Sequence, residues 1–376
     1  MTQKMPGMTI LKKILTVLFF VLITIFGLSS ILTGRYLQVL PLLIAVSTFL
    51  LPVKKFLSNK IEAYSSRTHI LLLLFLGVSY FAAGRIYLRT DIFRSAKYQK
   101  ESDRIYNELE AEWPQGTKSR IIKNSYGDVH ILETGPDTAT TLFLIPAGNM
   151  GAVFWGENIK ILSSNFHCYA VDPIGEAGKS RLKDLKLYPR TEQEEAAFYI
   201  EVMDSLGLAK ASLVAAGEGG RSALILASYR PERISGISLI APLGITKPSP
   251  EYLSRTIITA MFPMSFIRQS MEEWIFGVNS QAPEKYRIWY DQVLKGTVPH
   301  TAYPIKLTEE RLKNVQAPVF LILGDNDNVC GPPEKILKNA ATIPRMKSVV
   351  LETPHLAALE KPDEIACSVI EFLQKQ

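Results

Sequence analysis

The chain has 376 residues, 47% of them hydrophobic and 21% charged, which excludes a disordered or collagen-like protein. Its net charge of +6 is uneven: residues 1–100 hold 13 basic and 2 acidic residues, whereas residues 101–376 hold 29 basic and 34 acidic ones. Because the larger part has no basic excess, the composition argues against nucleic-acid binding. The 3 cysteines, an odd number, do not indicate a disulfide framework.

Three apolar runs without Lys, Arg, Asp or Glu occupy the N-terminal quarter: Ile14–Leu32, Tyr36–Val53 and Thr68–Gly84, of 17 to 19 residues each. As helices they would match the roughly 30 Å hydrocarbon core of a bilayer, the shorter ones barely. We therefore predict that residues 1–90 form a membrane anchor of about three transmembrane helices. Two alternatives stay open: a buried helical pair in a soluble domain, and a cleaved signal peptide over Lys12–Ser30 that leaves two spans.

Basic residues in the short loops predict the orientation of this anchor. Three lysines precede the first run and four basic residues separate the second run from the third, whereas the first loop contains only Arg35. We therefore expect a multi-pass protein of the cell membrane, with its N-terminus inside and its globular domain on the outer face. Five basic residues after the third run weaken this preference, and an even number of spans would reverse it.

The segment after the anchor predicts a helix and then a hairpin. From Asp91 to Trp113, apolar residues recur at spacings of three and four among charged ones, which is typical of an amphipathic helix. Residues 91–118 are thus expected to be a connecting helix that lies on the globular part or on the membrane surface. Ser119–Ser125 and Asp128–Glu133 flank Tyr126-Gly127 and predict a β-hairpin.

Beyond the hairpin, short apolar runs alternate with helical patterns. The runs are Leu142–Pro146, His167–Val171, Ser212–Ala215, Gly236–Ile240, Val319–Leu323 and Ser348–Leu351. The helical patterns are Phe154–Leu162, Thr191–Leu206, Gly220–Tyr229 and Asp363–Gln374. Such alternation predicts an α/β fold with a mostly parallel sheet covered by helices on both faces. A helical, aromatic-rich interval at about 244–312 interrupts the alternation and predicts a cap.

Four segments in this order carry recognisable motifs. They are FWGENIKILSSNFHCYAVDPIGEAGKS, with Asp172, Gly175, Gly178 and Ser180 in a Gly-rich loop; LGLAKASLVAAGEGGRSALILASYRPERISGISLIAP; APVFLILGDNDNV; and SVVLETPHLAALEKPDEI. Together they resemble the α/β-hydrolase superfamily, and specifically its bacterial carboxylesterase-like members. The resemblance implies an α/β-hydrolase domain over residues 119–376, with the helical cap inserted in it.

The family performs hydrolysis with a nucleophile, an acid and a histidine, in that chain order. The resemblance places the acid at Asp327, in the Gly324-Asp325-Asn326-Asp327 turn after an apolar strand, with Asp325 as the competing candidate. It places the base at His355, which alone among the 5 histidines lies between a predicted strand and the last helix.

The nucleophile position departs from the family pattern. The elbow of the family has a nucleophile two residues before Gly-Gly, and here Gly217 stands at that position, two residues before Gly219-Gly220. Glycine has no side chain to attack a carbonyl, although it adopts strained elbow angles freely. A one-residue slip that makes Glu218 the nucleophile is the alternative, but it breaks the otherwise gapless alignment.

The oxyanion hole departs as well. The family usually has His-Gly after the third strand, whereas this chain has Pro146-Ala147-Gly148. The N–H groups of Gly148 and Glu218 would still form the donor pair, since backbone donors do not depend on the side chain. The Glu218 carboxylate beside this hole would repel an oxyanion unless Arg221 or another cation pairs with it.

These features predict a membrane-anchored, esterase-like protein that is non-classical or inactive, a pseudoenzyme binding a small apolar ligand, an ester or a protein partner. The alternative is an active ester or lipid hydrolase or lyase, in which His355 and Asp327 activate water or Glu218 attacks. A third possibility is a docking module for a membrane neighbour. The sequence shows no cofactor motif and no metal-ligand spacing, so we expect neither.

Overall fold

The computed structural model describes residues 92–298 and 306–376 of the chain. The three apolar runs, and with them the predicted anchor over residues 1–90, lie outside the described residues. Among the helices of the described ranges, none combines the length and apolar character required to cross a bilayer.

The strands and helices of the described residues alternate as the sequence predicts. The strands are β1 Lys118–Lys123, β2 Gly127–Thr134, β3 Thr141–Ile145, β4 His167–Val171, β5 Arg181–Leu182, β6 Ala211–Ala216, β7 Ile234–Ile240, β8 Val319–Gly324 and β9 Met346–Leu351. The α-helices are α1 Ala96–Glu110, α2 Ile159–Leu162, α3 Glu192–Ser205, α4 Gly217–Tyr229, α5 Pro250–Met261, α6 Ser265–Phe276, α7 Glu284–Gly296, α8 Glu309–Lys313, α9 Pro333–Ala340, α10 Ala357–Glu360 and α11 Pro362–Gln374.

One mostly parallel sheet runs through the described residues, in the order β1-β2-β4-β3-β6-β7-β8-β9, with β5 paired to β2. The β1–β2 and β2–β4 pairs are antiparallel, and every pair from β4 to β9 is parallel. Strands β4 and β6 are buried at each residue, as expected where both faces are covered. The predicted mostly parallel α/β sheet is therefore confirmed.

The turn between β6 and α4 depends on close approach of the two elements. A Cβ atom on Gly219 would lie 2.3 Å from the carbonyl oxygen of Pro146, and one on Gly220 would lie 2.6 Å from Cβ of Pro242. Glycine at these two positions lets the first turn of α4 lie directly against the ends of β3 and β7. The elbow is thereby held at the carboxyl edge of the sheet.

The predicted helix Phe154–Leu162 is broken in two. A 3-10 turn covers Ala152–Gly156, and α2 begins only at Ile159. Gly156 favours a break because it is a poor helix former, and a Cβ there would lie 2.5 Å from the Tyr286 hydroxyl. Between the two pieces, the Asn158 amide donates to the carbonyls of Ala358 and Pro362, both at 3.1 Å. The side chain thus ties this segment to α10 and α11.

The predicted connector at 91–118 is part of the globular fold. Helix α1 packs on α7 of the cap, where the Gln292 amide donates to the Tyr98 carbonyl at 3.2 Å. Further along, the rings of Tyr106 and Trp289 meet edge to face at 5.8 Å. Helix α1 therefore lies on the globular part.

The cap consists of α5, α6 and α7, between β7 and β8. Its predicted end at about residue 312 is too late, because α8, which begins at Glu309, packs on α4 of the main domain. In the same helix, the Arg311 guanidinium donates to the Glu192 carboxylate at 3.1 Å. Glu192 lies in the first turn of α3, which is also outside the cap. Residues 309–312 thus belong to the layer beside the sheet.

Candidate active site

The elbow presents Gly217 at its apex. Gly217 follows β6 directly, is the first residue of α4, and has a φ of +51°, in the left-handed region that favours glycine. A Cβ atom built on Gly217 would lie 3.4 Å from Nε2 of His355 and 3.4 Å from Cβ of Ala147. The α-carbon that faces the histidine is therefore that of Gly217, and there is ordinary contact space for a small side chain.

His355 and Asp327 form a buried pair behind this position. The Nδ1 atom of His355 lies 2.9 Å from Oδ2 of Asp327, and both residues are 6% exposed. The other carboxylate oxygen of Asp327 accepts from the N–H groups of Val329 and Cys330 at 2.8 and 2.9 Å. Asp325, the competing acid, is exposed and accepts from the N–H of Thr353 at 3.2 Å. The structure thus brings Asp327, and not Asp325, to the histidine.

The electrostatics of the pair favour its ionised form. Burial alone would lower the pKa of His355, but the Asp327 carboxylate, assisted by that of Glu218, outweighs burial and holds the pKa above its ordinary 6.5. Burial would likewise raise the pKa of Asp327, yet His355 and the two backbone N–H groups hold it below its ordinary 3.8. The Asp327 carboxylate therefore orients the imidazole and supports a positive charge on it, as in a hydrolytic triad.

The predicted oxyanion hole is occupied by a side chain of the protein itself. The N–H of Gly148 donates to Oε2 of Glu218 at 3.1 Å, and the hydroxyl of Tyr252, on cap helix α5, donates to Oε1 of the same carboxylate. A negatively charged group thus lies where a hydrolytic oxyanion would develop. The sequence predicted the backbone donors at this place but not the bond that Glu218 makes to one of them.

Arg221 does not neutralise Glu218. Its guanidinium donates to Oε2 of Glu195 at 2.6 Å, and the hydroxyl of Ser222 donates to the other oxygen of Glu195, also at 2.6 Å. The cation that the sequence offered as a partner for Glu218 is therefore engaged by a carboxylate of α3. The repulsion of an oxyanion expected from Glu218 stays in force.

Glu176 is a further acid of the site that the sequence did not indicate. Its Oε2 atom accepts from the N–H of Asn149 at 2.6 Å, and a cavity of about 60 Å³ lies against its side chain and that of Glu218. Burial, together with the nearby carboxylates of Glu218 and Glu195, raises the pKa of Glu176 to about 8 although the Asn149 N–H opposes this. Near neutral pH Glu176 is therefore mostly protonated.

Cys330 also reaches the histidine, three residues after Asp327. Its Sγ lies 3.8 Å from Nδ1 of His355, and it donates to the carbonyls of Ala241 and Pro242 at 3.4 and 3.5 Å. Burial and the Asp327 carboxylate raise the pKa of the thiol well above its usual range. The sulfur is therefore a buried thiol on the Asp327 side of the ring, whereas a nucleophile must face Nε2.

Two groups of side chains in the described ranges have metal-ligand chemistry and lie close together. Asp327, Cys330 and His355 form one, and Glu133, Asp137 and His167 the other, with ligand atoms within 4.8 Å of one another. In the first, the thiol is protonated and donates to carbonyls, whereas a metal needs the thiolate. In the second, Lys118 and Arg120 already pair with Glu133. The prediction that the chain uses no metal stays a prediction.

The parallel sheet, the elbow before α4, the helical cap and the His355–Asp327 pair together define the α/β-hydrolase superfamily, to which the chain belongs, with carboxylesterases among its homologues. Carboxylesterase YbfK of Bacillus subtilis is 26% identical over 283 residues, which cover 71% of this chain and 92% of YbfK. The uncharacterized carboxylesterase nap of the same organism is 24% identical over 280 residues, covering 72% of this chain and 91% of nap.

A solved structure agrees with this assignment. The crystal structure of carboxylesterase CesB (YbfK) from Bacillus subtilis matches with a TM-score of 0.68 and 25% identity. The match covers 75% of this chain and 100% of the CesB chain. No protein-family model matches the chain. The superfamily and its carboxylesterase homologues thus agree with the resemblance seen in the sequence.

Proposed function

We propose that this protein is an esterase-like α/β-hydrolase that binds a small apolar ligand or ester at its site without the acyl-enzyme route of a serine esterase. The observation that carries the proposal is Gly217, which places a bare α-carbon opposite Nε2 of His355. An acyl-enzyme requires an oxygen or sulfur atom at this point. The histidine and its acid remain, but among the described residues no hydroxyl is seen bonded to Nε2 of His355.

The second support is the Glu218 carboxylate at the Gly148 N–H. A tetrahedral intermediate develops negative charge at this position, and removing one oxyanion donor from such a site costs about 100- to 1,000-fold in turnover. Here the donor is engaged and an anion lies beside it. The two departures act on different steps, attack and charge stabilisation, and both disfavour hydrolysis through an acyl-enzyme.

One observation favours a second candidate function, direct hydrolysis by water. The His355–Asp327 pair keeps its 2.9 Å bond and its burial although the nucleophile is missing. A histidine so oriented is able to activate a water molecule in the space beside Gly217. Hydrolytic sites that lose a triad member retain about 1,000- to 10,000-fold acceleration over water. This is far less than an efficient esterase achieves, so we place ligand binding first.

The proposal includes a membrane location. It rests on the three uncharged apolar runs before residue 90 and on the distribution of basic residues around them. We expect the protein in the membrane fraction, with the globular domain digested when protease is added to intact cells. Protection of that domain in intact cells, with digestion only after lysis, would reverse the proposed orientation. Release of the whole chain into the soluble fraction would refute the anchor.

The function is tested on the purified full-length chain with p-nitrophenyl acetate and p-nitrophenyl butyrate. Four forms are compared: the native protein, Gly217→Ser, the double variant Gly217→Ser with Glu218→Ala, and that double variant with His355→Ala. We expect no His355-dependent turnover from the native chain. Turnover should appear on Gly217→Ser, increase in the double variant as the oxyanion donors are freed, and disappear with His355→Ala.

The results separate the two candidate functions. Sustained turnover by the native chain that His355→Ala abolishes would refute the binding proposal and establish the water route. Failure of the double variant to turn over ester, with unfolding temperature unchanged, would show that the site has lost more than its nucleophile. Binding itself is measured with an alkyl phenyl ketone, an ester mimic, as an increase in unfolding temperature. No increase at millimolar ketone would contradict ligand binding.

A further inference from the structure

A second serine contacts a histidine far from the elbow, at the β1 edge of the sheet. The Oγ atom of Ser119 lies 2.8 Å from Nε2 of His130. In the antiparallel β1–β2 pair, Ser119 is opposite Leu132 and Ile121 is opposite His130. Ser119 and His130 are therefore diagonal neighbours on one face of the hairpin, within reach of a side-chain hydrogen bond.

Behind His130 lies a buried carboxylate. The Nδ1 atom of His130 is 2.9 Å from Oδ2 of Asp172, in the loop after β4. The same carboxylate accepts from the Tyr106 hydroxyl at 2.9 Å and from the N–H groups of Ala152 and Lys179, both at 2.6 Å. Burial would raise the pKa of Asp172, but His130 and the two N–H groups hold it below its ordinary 3.8. Asp172 is therefore an ionised acceptor.

These bonds assign the tautomer of His130. An ionised carboxylate has no proton to donate, so Nδ1 of His130 must carry the hydrogen that bridges it to Asp172. In the neutral ring Nε2 is then an acceptor, and the Ser119 hydroxyl donates to it. His130 is 1% exposed and Asp172 is 0% exposed, whereas Ser119 is exposed. An accessible hydroxyl thus leads to a buried, oriented imidazole and its acid.

We propose that Ser119 is a second activated serine, which accepts acyl or phosphonyl groups from small electrophilic compounds. Ser119 Oγ attacks the carbonyl carbon of an activated ester as its proton passes to Nε2 of His130. The bond from that carbon to the leaving oxygen then breaks, and the leaving group departs with the proton as an alcohol or phenol. The products are an O-acylserine and one molecule of alcohol, and the imidazole is again neutral.

The surroundings of Ser119 indicate modification rather than turnover. Ser119 lies on β1, the edge strand of the sheet, and its side chain is exposed. An exposed edge position holds an acyl group less firmly than an enclosed pocket does. We therefore expect one acyl or phosphonyl group per chain, with slow release. This site is independent of Gly217, so the proposed function and this inference fail or succeed separately.

The alternative is that the Ser119 hydroxyl simply satisfies Nε2 of a structural histidine. The chain offers a matched control for this distinction. Ser125, at the other end of the same hairpin, is also exposed, but its hydroxyl donates to the carboxylate of Glu201 at 2.7 and 2.8 Å. A carboxylate is a weaker base than an imidazole, so general-base assistance should separate the two serines in rate.

The test uses the native full-length chain, a fluorophosphonate probe and peptide mapping by mass spectrometry. We expect label on Ser119 about 100-fold faster than on Ser125, the lower range of general-base assistance. Ser119→Ala should abolish the fast labelling and Ser125→Ala should leave it unchanged. His130→Gln, if its unfolding temperature is preserved, should slow the labelling of Ser119 to the Ser125 rate.

Labelling of Ser119 no faster than that of Ser125 would overturn the proposal, and so would fast labelling that survives in a folded His130→Gln variant. If His130→Gln does not fold, the rates of the two serines in the native chain decide alone. The same site predicts a single burst of p-nitrophenol from the native chain that persists in His355→Ala and disappears in Ser119→Ala. A burst that disappears in His355→Ala and persists in Ser119→Ala would place the reactive group at the elbow and overturn the proposal.

Discussion

At Gly217 the protein keeps the backbone of a nucleophile elbow without the atom that reacts. The φ of +51° there is strained for a residue with a side chain but relaxed for glycine. Next to it, Glu218 places a carboxylate at the Gly148 N–H and contributes to the high pKa of His355. A single negative charge thus affects both the donors of the oxyanion hole and the basicity of the histidine.

Replacing Glu218 separates its charge from its shape. In a Gly217→Ser background, the histidine must be neutral to take the proton of the serine. Because the pKa of His355 is held above the ordinary imidazole value of 6.5, the rate should fall on the acidic side, the acidic limb of the pH–rate profile, with a midpoint above pH 6.5. The Asp327 carboxylate is the main group that raises the pKa of His355, and Glu218→Gln removes the smaller contribution of the second carboxylate, so the limb should move to lower pH. The measurement is kcat/KM for p-nitrophenyl butyrate from pH 5 to pH 9.

The control for this experiment is Glu334→Gln, which removes an exposed carboxylate from the first turn of α9. It should leave the limb in place. A limb that does not move with Glu218→Gln, or moves to higher pH, would show that Glu218 does not act on His355 through its charge.

At the scale of the elements, local pattern predicted the strands well. β4 has the predicted bounds, His167–Val171, because a short apolar run between turn residues has few alternatives in an α/β chain. For the two hairpin strands, three of the four predicted ends lie within one residue of the observed ends. The helix Phe154–Leu162 was wrong: the chain breaks between Gly156 and Ile159, where the Asn158 amide bonds the carbonyls of Ala358 and Pro362, which local pattern cannot indicate.

The candidate site was predictable to the same extent and for the same reason. The resemblance of motifs near strand ends to the family pointed to Gly217, Asp327 and His355, and the structure places these three residues close together. The bond of Glu218 to Gly148, the sulfur of Cys330 beside His355 and the protonation of Glu176 depend on side-chain orientation and burial. Residue order alone contains no signal for these, although Cys330 stands only three positions from Asp327.

The break before α2 leads to a stability prediction. Asn158 is fully buried, and its amide holds the carbonyls of Ala358 and Pro362. Asn158→Ala leaves those carbonyls without this donor and should destabilise the fold by about 1–3 kcal/mol. Asn165→Ala is the control, because Asn165 is exposed and its amide makes only solvent-exposed bonds among the described residues, to the Ile161 carbonyl and from the Gln374 side chain. Denaturant unfolding of both variants checks this, and equal losses would contradict it.

At the scale of the whole molecule, several acids meet at one cavity and link the folding of the chain to pH. Glu176, Glu195 and Glu218 converge on the cavity of about 60 Å³, with Arg221 paired to Glu195. Folding therefore brings a largely buried carboxyl group, Glu176, close to other negative charges. The raised pKa of Glu176 keeps a proton on this acid near neutral pH, which limits the repulsion between the carboxyl groups.

This proton has a measurable effect on stability. The pKa of Glu176 rises from 4.5 to about 8 on folding, so between these values the folded chain binds more protons than the unfolded one. Stability must then fall as pH rises through that range. Glu176→Gln mimics the protonated acid and still accepts from the Asn149 N–H. It should raise the free energy of unfolding at pH 8 by at least about 1 kcal/mol and much less at pH 5.

The comparison is made by denaturant unfolding of the full-length chain at pH 5, 6.5 and 8. Glu284→Gln, which removes an exposed carboxylate at the start of α7, serves as the control and should change stability little at each pH. If Glu176→Gln destabilises the protein equally at the three pH values, Glu176 is ionised in the folded state. The acids around this cavity would then require a cation, and a search for a cationic ligand would replace the search for an apolar one.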